Sequence, residues 1–149
     1  MNPLAGRYLT VVVGRQSLAI ELSRVREIVG YLAMLPPGGL PSHVKGWIDY
    51  RGRSIRVIDM GARLGLEPNV QTEDTQIVIC DAFDGCVGLL VDNVGGAVRV
   101  AESAESATPA FAAEYARGAT AIGDGITTVL DLDRVITSNI AQPAHALAA

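Results

Sequence analysis

Cysteine is nearly absent from this chain: 149 residues carry two, Cys80 and Cys86. Two thiols make no disulfide framework, and in a reducing compartment they read as small buried residues. Histidine is as scarce, with only His43 and His145. Neither stands at a spacing that completes a zinc site with the cysteines, so no metal is expected. Aromatic residues are 5% of the chain, too few for the stacked platforms that hold single-stranded nucleic acid. Positive charge is short as well: 12 lysines and arginines stand against 16 acidic residues, giving a net charge of −4. A field of that sign opposes non-specific nucleic-acid binding. No apolar run approaches the roughly 20 residues that span a bilayer, and the opening MNPLAGRYLTVVVG has no secretory h-region. The expectation is a cytoplasmic chain with no direct membrane insertion.

What is present is valine, isoleucine and leucine in short bursts. The segments 7–14, 17–22, 26–32, 54–60, 75–81, 86–92, 96–101, 116–122 and 126–132 read as strands, separated by glycine and polar turns. Helices are few. DMGARLGL (59–66) has Asp59 as a cap and Gly65 near its end, and LDRVITSNI (132–140) places Leu132, Val135, Ile136 and Ile140 at helical spacing behind Asp131. PPGGLPSHV (36–44) reads as a loop, LEPNVQTED (66–74) as a linker, and 141–149 as a flexible tail. The fold class is therefore mainly β.

The two sides of the linker resemble each other. SLAIELSRVREIV (17–29) aligns with CVGLLVDNVGGAV (86–98) at an offset of 69 positions. KGWIDYRGRSIRVIDM (45–60) aligns with RGATAIGDGITTVLDL (117–132), matching Gly46 with Gly118 and Asp59 with Asp131. Two copies of one β-unit are expected, a first over about 7–66 and a second over about 75–140. Neither is large enough to bury a sufficient core alone, so they should pack together, with a docking groove between them.

Chemistry-bearing motifs are missing: no GxSxG, HExxH, phosphate-binding glycine loop or CxxC occurs. Asp84 with Gly85 reads as a turn and Asp131 as a cap, so no catalytic residue and no cofactor is expected. One dense feature remains. DYRGRSIRVID (49–59) holds Arg51, Arg53 and Arg56. Alternation along a strand points Arg53 and Arg56 to opposite faces, which argues against a single guanidinium stripe. Arg51 precedes Gly52 at a turn and can project from a hairpin tip, placed to hold a carboxylate in two parallel bonds. Solvated turn residues, or a small barrel that binds nucleic acid through all three arginines, are the other readings.

VREIVGY (25–31), LPSHVKGWIDYRGRSIRVIDM (40–60), VGLLVDNV (87–94) and EYARGATAIGDGITTVLDLDRVI (114–136) together resemble the CheW family, the adaptors of bacterial chemosensory arrays. The likeness runs in order over nearly the whole chain. It implies a single CheW-like domain over 1–149, built as two SH3-like five-stranded barrels around a common core with a few short helices. It implies no catalysis. Its partners are the cytoplasmic hairpin tip of a chemoreceptor and the regulatory domain of a CheA-type histidine kinase, and it implies recruitment to membrane-associated receptor arrays.

By resemblance, Val25, Glu27 and Ile28 belong to a partner-contacting segment, and Arg51 is the arginine of the R-G turn that engages the receptor tip. Lys45 and Gly46 belong to a neighbouring segment, and Val91, Asp92 and Val94 to the V-D-x-V segment of the second barrel. Val25, Ile28, Val91 and Val94 also read as core, and Glu27 and Arg51 as a pair with each other. Gly46 and Gly52 also read as needed only for backbone geometry. The sequence departs from the family at Arg56, where proline is usual, and at Asp49 and Tyr50 before the R-G turn, with Trp47 close by.

Overall fold

The computed structural model describes residues 2–109 and 111–137. The first hairpin is β1 (Gly6–Val13) and β2 (Gln16–Glu21). Next come β3 (Val25–Gly30), β4 (Val44–Tyr50), β5 (Arg53–Asp59) and a short helix α1 (Met60–Arg63). After the linker come β6 (Gln76–Ala82), β7 (Gly85–Val91), β8 (Asn93–Val100), the two-residue β9 (Ser106–Ala107), β10 (Ala116–Ile122), β11 (Gly125–Leu130) and α2 (Leu132–Thr137). The segment 44–50, which did not read as a strand, is β4. It carries glycine and charge, and its pairing with β5 makes it extended. The tail 141–149, the helix end 138–140 and His145 lie outside the described residues.

The strands form two sheets, in the orders β3-β6-β7-β5-β4 and β8-β1-β2-β11-β10-β9. One therefore has five strands and the other six, the sixth being the short β9. The sheets do not follow the expected spans 7–66 and 75–140. The first hairpin of the chain joins β8, β10 and β11, and the hairpin β6–β7 joins β3, β4 and β5. The repeat is real but exchanged: each unit gives its first hairpin to the other unit's remaining strands. Register supports this. Val57 pairs in parallel with Gly88, and Val129 with Ala19, the same pairing under the sequence offsets. Bulges fall at matched positions, at Arg26 and Gly95 and again at Lys45 and Arg117. The Asp59 amide donates to the His43 carbonyl and the Asp131 amide to the Tyr115 carbonyl, again matched.

The central strands are buried on both faces, which explains their unbroken apolar runs. In β6, Val78 and Cys80 enter one core while Ile77 and Ile79 enter another. In β7, Val87, Leu89 and Val91 share the first core and Leu90 the second. The first core is common to both sheets, because Leu9, Val11, Leu18 and Ile20 also line it. Each sheet keeps a second core of its own, around Ile55 and Val57 in one and around Tyr8 and Val129 in the other. Both helices carry aspartate caps: Asp59 accepts from the Ala62 amide and Asp131 from the Arg134 amide. Arg63 of α1 donates to the carbonyls of Val135 and Arg134 in the middle of α2, fastening the helices together.

Candidate functional site: a polar clasp and an arginine-lined cleft

The β4–β5 hairpin turns through Arg51 and Gly52, with φ of 51° and 81°. Two successive left-handed residues make the two-residue turn whose twist matches the strands it joins. Gly52 takes that conformation freely, whereas Arg51 is held in it at a steric cost. The result aims a guanidinium from the hairpin tip across the barrel seam.

The seam is where the sheet's edge strands, β3 and β4, face each other. Arg51 Nη2 donates to Glu27 Oε1 at 3.0 Å, and the Tyr50 hydroxyl donates to the same oxygen at 2.9 Å. Arg51 Nε donates to the Tyr50 hydroxyl at 3.2 Å, and the guanidinium lies 5.5 Å from the ring centre. The Arg51 and Tyr50 hydrogen bonds hold the Glu27 carboxyl below its usual range. Most of the Arg51 side chain remains exposed, at 75%. The next residue on the strand, Ile28, is 37% exposed and points to the opposite face, the one that carries Val78 of the shared core. Leu32, just beyond β3, is also exposed.

Of the site residues expected from sequence, Glu27 and Arg51 come together here, and Ile28 is exposed on the other face of the same strand. Val25 is half-buried against the shared core at the start of β3. Lys45 is exposed on the bulge at the other end of β4, about 17 Å along the strand from Tyr50. Gly46 is a packing residue, because a Cβ there would meet the Leu35 carbonyl oxygen. Val91 is fully buried in the shared core and offers no surface to a partner. Asp92 ties the frame, accepting from the Gly14 amide and from the Asn69 side chain. Val94 packs against the shared core. The V-D-x-V segment is therefore part of the scaffold, away from the clasp.

Beside the clasp is a cleft of about 500 Å³. It belongs to the five-stranded barrel alone, and not to a groove between the two units as expected. Arg51, Arg53 and Arg56 all line it, joined by Arg26 of β3. The alternation argument fails here because the cleft wraps the end of the hairpin and is closed by the β6–β7 turn, Asp84 to Cys86. Trp47 and Ile55 supply apolar wall. Sequence reasoning gave Tyr50 no role except as a departure, although it is the hydroxyl that completes the clasp. The register that puts Tyr50 opposite Arg53, next to the turn, was its only signal.

The chain matches the CheW-like domain family over residues 7–139. This protein belongs to the CheW-like family. A chemotaxis protein CheW from Rhizobium meliloti is 32% identical over 89% of this chain and 88% of its own length. A chemotaxis protein CheW from Klebsiella aerogenes is 24% identical over 88% of this chain and 81% of its own. The crystal structure of a scaffolding protein, TtCheW from Thermoanaerobacter tengcongensis, superposes with a TM-score of 0.80 at 22% identity, covering 93% of this chain and 92% of that one. The pair of SH3-like subdomains expected from sequence is thus the fold of this CheW-like chain. Among the described residues no helix is long and apolar enough to cross a membrane.

Proposed function

We propose that this CheW-like chain is a cytoplasmic adaptor that couples the hairpin tip of a chemoreceptor to the regulatory domain of a CheA-type histidine kinase. The observation that carries the reading is the exposed Glu27–Tyr50–Arg51 clasp on the edge strand β3, whose other face exposes Ile28. A helical tip lies along the edge of β3 and lays an apolar strip over Ile28, while Arg51 and Glu27 on the other side of that edge offer one charge of each sign to set register. Family membership supports a chemosensory role, and the kinase's regulatory domain, itself of this fold in the family, supplies a barrel-to-barrel partner. No step in this role is chemical: the chain works by holding two proteins in a fixed relation.

Ile28→Asp tests the reading by calorimetry against a receptor hairpin tip from the same genome. Ile28 is surface-exposed, so the variant folds, and its affinity for the tip falls by at least tenfold. Unchanged affinity would remove Ile28 and its strand from the docking surface.

A further inference from the structure

The clasp uses Arg51, but the cleft beside it holds two guanidiniums that the fold does not satisfy. Arg56 is recessed, with 12% of its side chain exposed, and its Nε is buried without a hydrogen-bond partner. Its nearest carboxylate is Asp84, at 4.0 Å, too far for a hydrogen bond. Burial pushes the Arg56 guanidinium down from its ordinary range, and Asp84 opposes that only in part. Arg53, at the exposed rim, forms no ion pair among the described residues. By contrast Arg26 is bound to Asp81 and Arg51 to Glu27. A buried charge without a full set of acceptors is costly unless something else supplies them.

We propose that this cleft is a receptor for an acidic peptide segment, whose carboxylate is taken by Arg56 and Arg53 in place of Asp84. The chemistry fits in three respects. Two guanidiniums present forked donors suited to a carboxylate. Trp47, Ile55 and Leu40 form an apolar wall for the rest of the segment. The cleft adjoins the clasp, Arg51 lining both, so one docked protein reaches both. Asp84 is 68% exposed on a turn and keeps the empty cleft partly neutral, so it competes with the incoming group. Assigning the segment to a signalling partner rests on the adaptor reading above; the anion site itself does not.

Trp47 is the chain's only tryptophan and lines the cleft, so its fluorescence reports occupancy without any signalling partner. The probe is a capped hexapeptide of alternating glutamate and alanine, titrated into the whole protein. The expected result is a saturable change in Trp47 emission that weakens with salt. Arg56→Met, close in volume and free of the orphaned donor, folds and weakens binding at least tenfold. Asp84→Asn tightens it several-fold. A merely structural Arg56 would not give these opposite responses. No emission change with the peptide, or equal affinity in Arg56→Met, overturns the site. Tighter binding of inorganic pyrophosphate or of a single-stranded oligonucleotide than of the peptide overturns the choice of ligand. Calorimetry with the receptor tip is a separate readout, so failure of the adaptor reading would be seen there and not here.

Discussion

Arg51 reaches from a hairpin tip to Glu27 on the opposite edge strand, and a single carboxylate oxygen receives both its guanidinium and the Tyr50 hydroxyl. Arg51 is largely solvated and Glu27 partly so, and pairs this open to water add little to stability. The pair closes a seam and at the same time leaves two charges of opposite sign at the surface.

A charge exchange separates those two roles. Arg51→Glu alone places two carboxylates together and weakens receptor binding, with thermal unfolding nearly unchanged. The double variant Glu27→Arg, Arg51→Glu restores an opposite pair across the seam but inverts what the partner meets. Its unfolding temperature stays at that of the unaltered protein while receptor affinity, measured by calorimetry, stays low. Recovery of full affinity in the double variant would make the clasp purely structural.

His43 governs a pH dependence. It is buried, its Nε2 has no hydrogen-bond partner, and burial together with Arg63 and Arg56 lowers its pKa from the usual value. The unfolded chain therefore takes up this proton at a higher pH than the folded one. Stability holds above about pH 6.5 and declines as pH falls below it towards the folded pKa, with a slope of up to ~1.4 kcal/mol per pH unit. Denaturant unfolding of the unaltered protein and of His43→Gln between pH 7.5 and 5.5 checks this. The variant should lack that part of the slope, and an identical slope in both would assign it to other groups.

Gly46→Ala should destabilise the protein by about 1–3 kcal/mol, because its Cβ meets the Leu35 carbonyl oxygen and the Met34 side chain. The strand pairing Leu35 with Trp47 would have to shift, moving the wall of the cleft. A chemical-denaturation midpoint equal to that of the unaltered protein would show that residues 34–35 yield freely.

The two cysteines should differ sharply in reactivity. Burial pushes the Cys80 thiol up to about 12, so it carries almost no thiolate at neutral pH. Cys86 is only half-buried and lines the cleft. Iodoacetamide at pH 8 labels Cys86 in the native protein and Cys80 only on unfolding, as mass spectrometry of the digest would read. Equal native labelling of both would contradict the burial of β6.

Much of this was legible along the chain. QIVIC and VGLLV read as strands because both of their faces are covered, and Asp59 and Asp131 read as caps because each precedes an amphipathic turn. The repeat was visible in matched glycines and aspartates, but its exchange of hairpins was not. Which sheet a hairpin joins is decided by long-range pairing, such as Val57 with Gly88, and leaves no local mark. That Arg53 and Arg56 line one cleft was hidden for a related reason. Strand alternation describes a flat ribbon, whereas the cleft is made where a hairpin end meets the turn at Asp84. Val91 carries two readings in the sequence, core and partner contact, and it fills the core, while Asp92 holds the Gly14 amide.

The central claim is that one CheW-like chain holds a receptor and a kinase at once. Titration calorimetry against the receptor hairpin tip and against the kinase regulatory domain, each alone and then each in the presence of saturating amounts of the other, tests it directly. The account predicts micromolar binding to both, with neither displacing the other. Binding to neither, or mutual displacement at a single site, would contradict it.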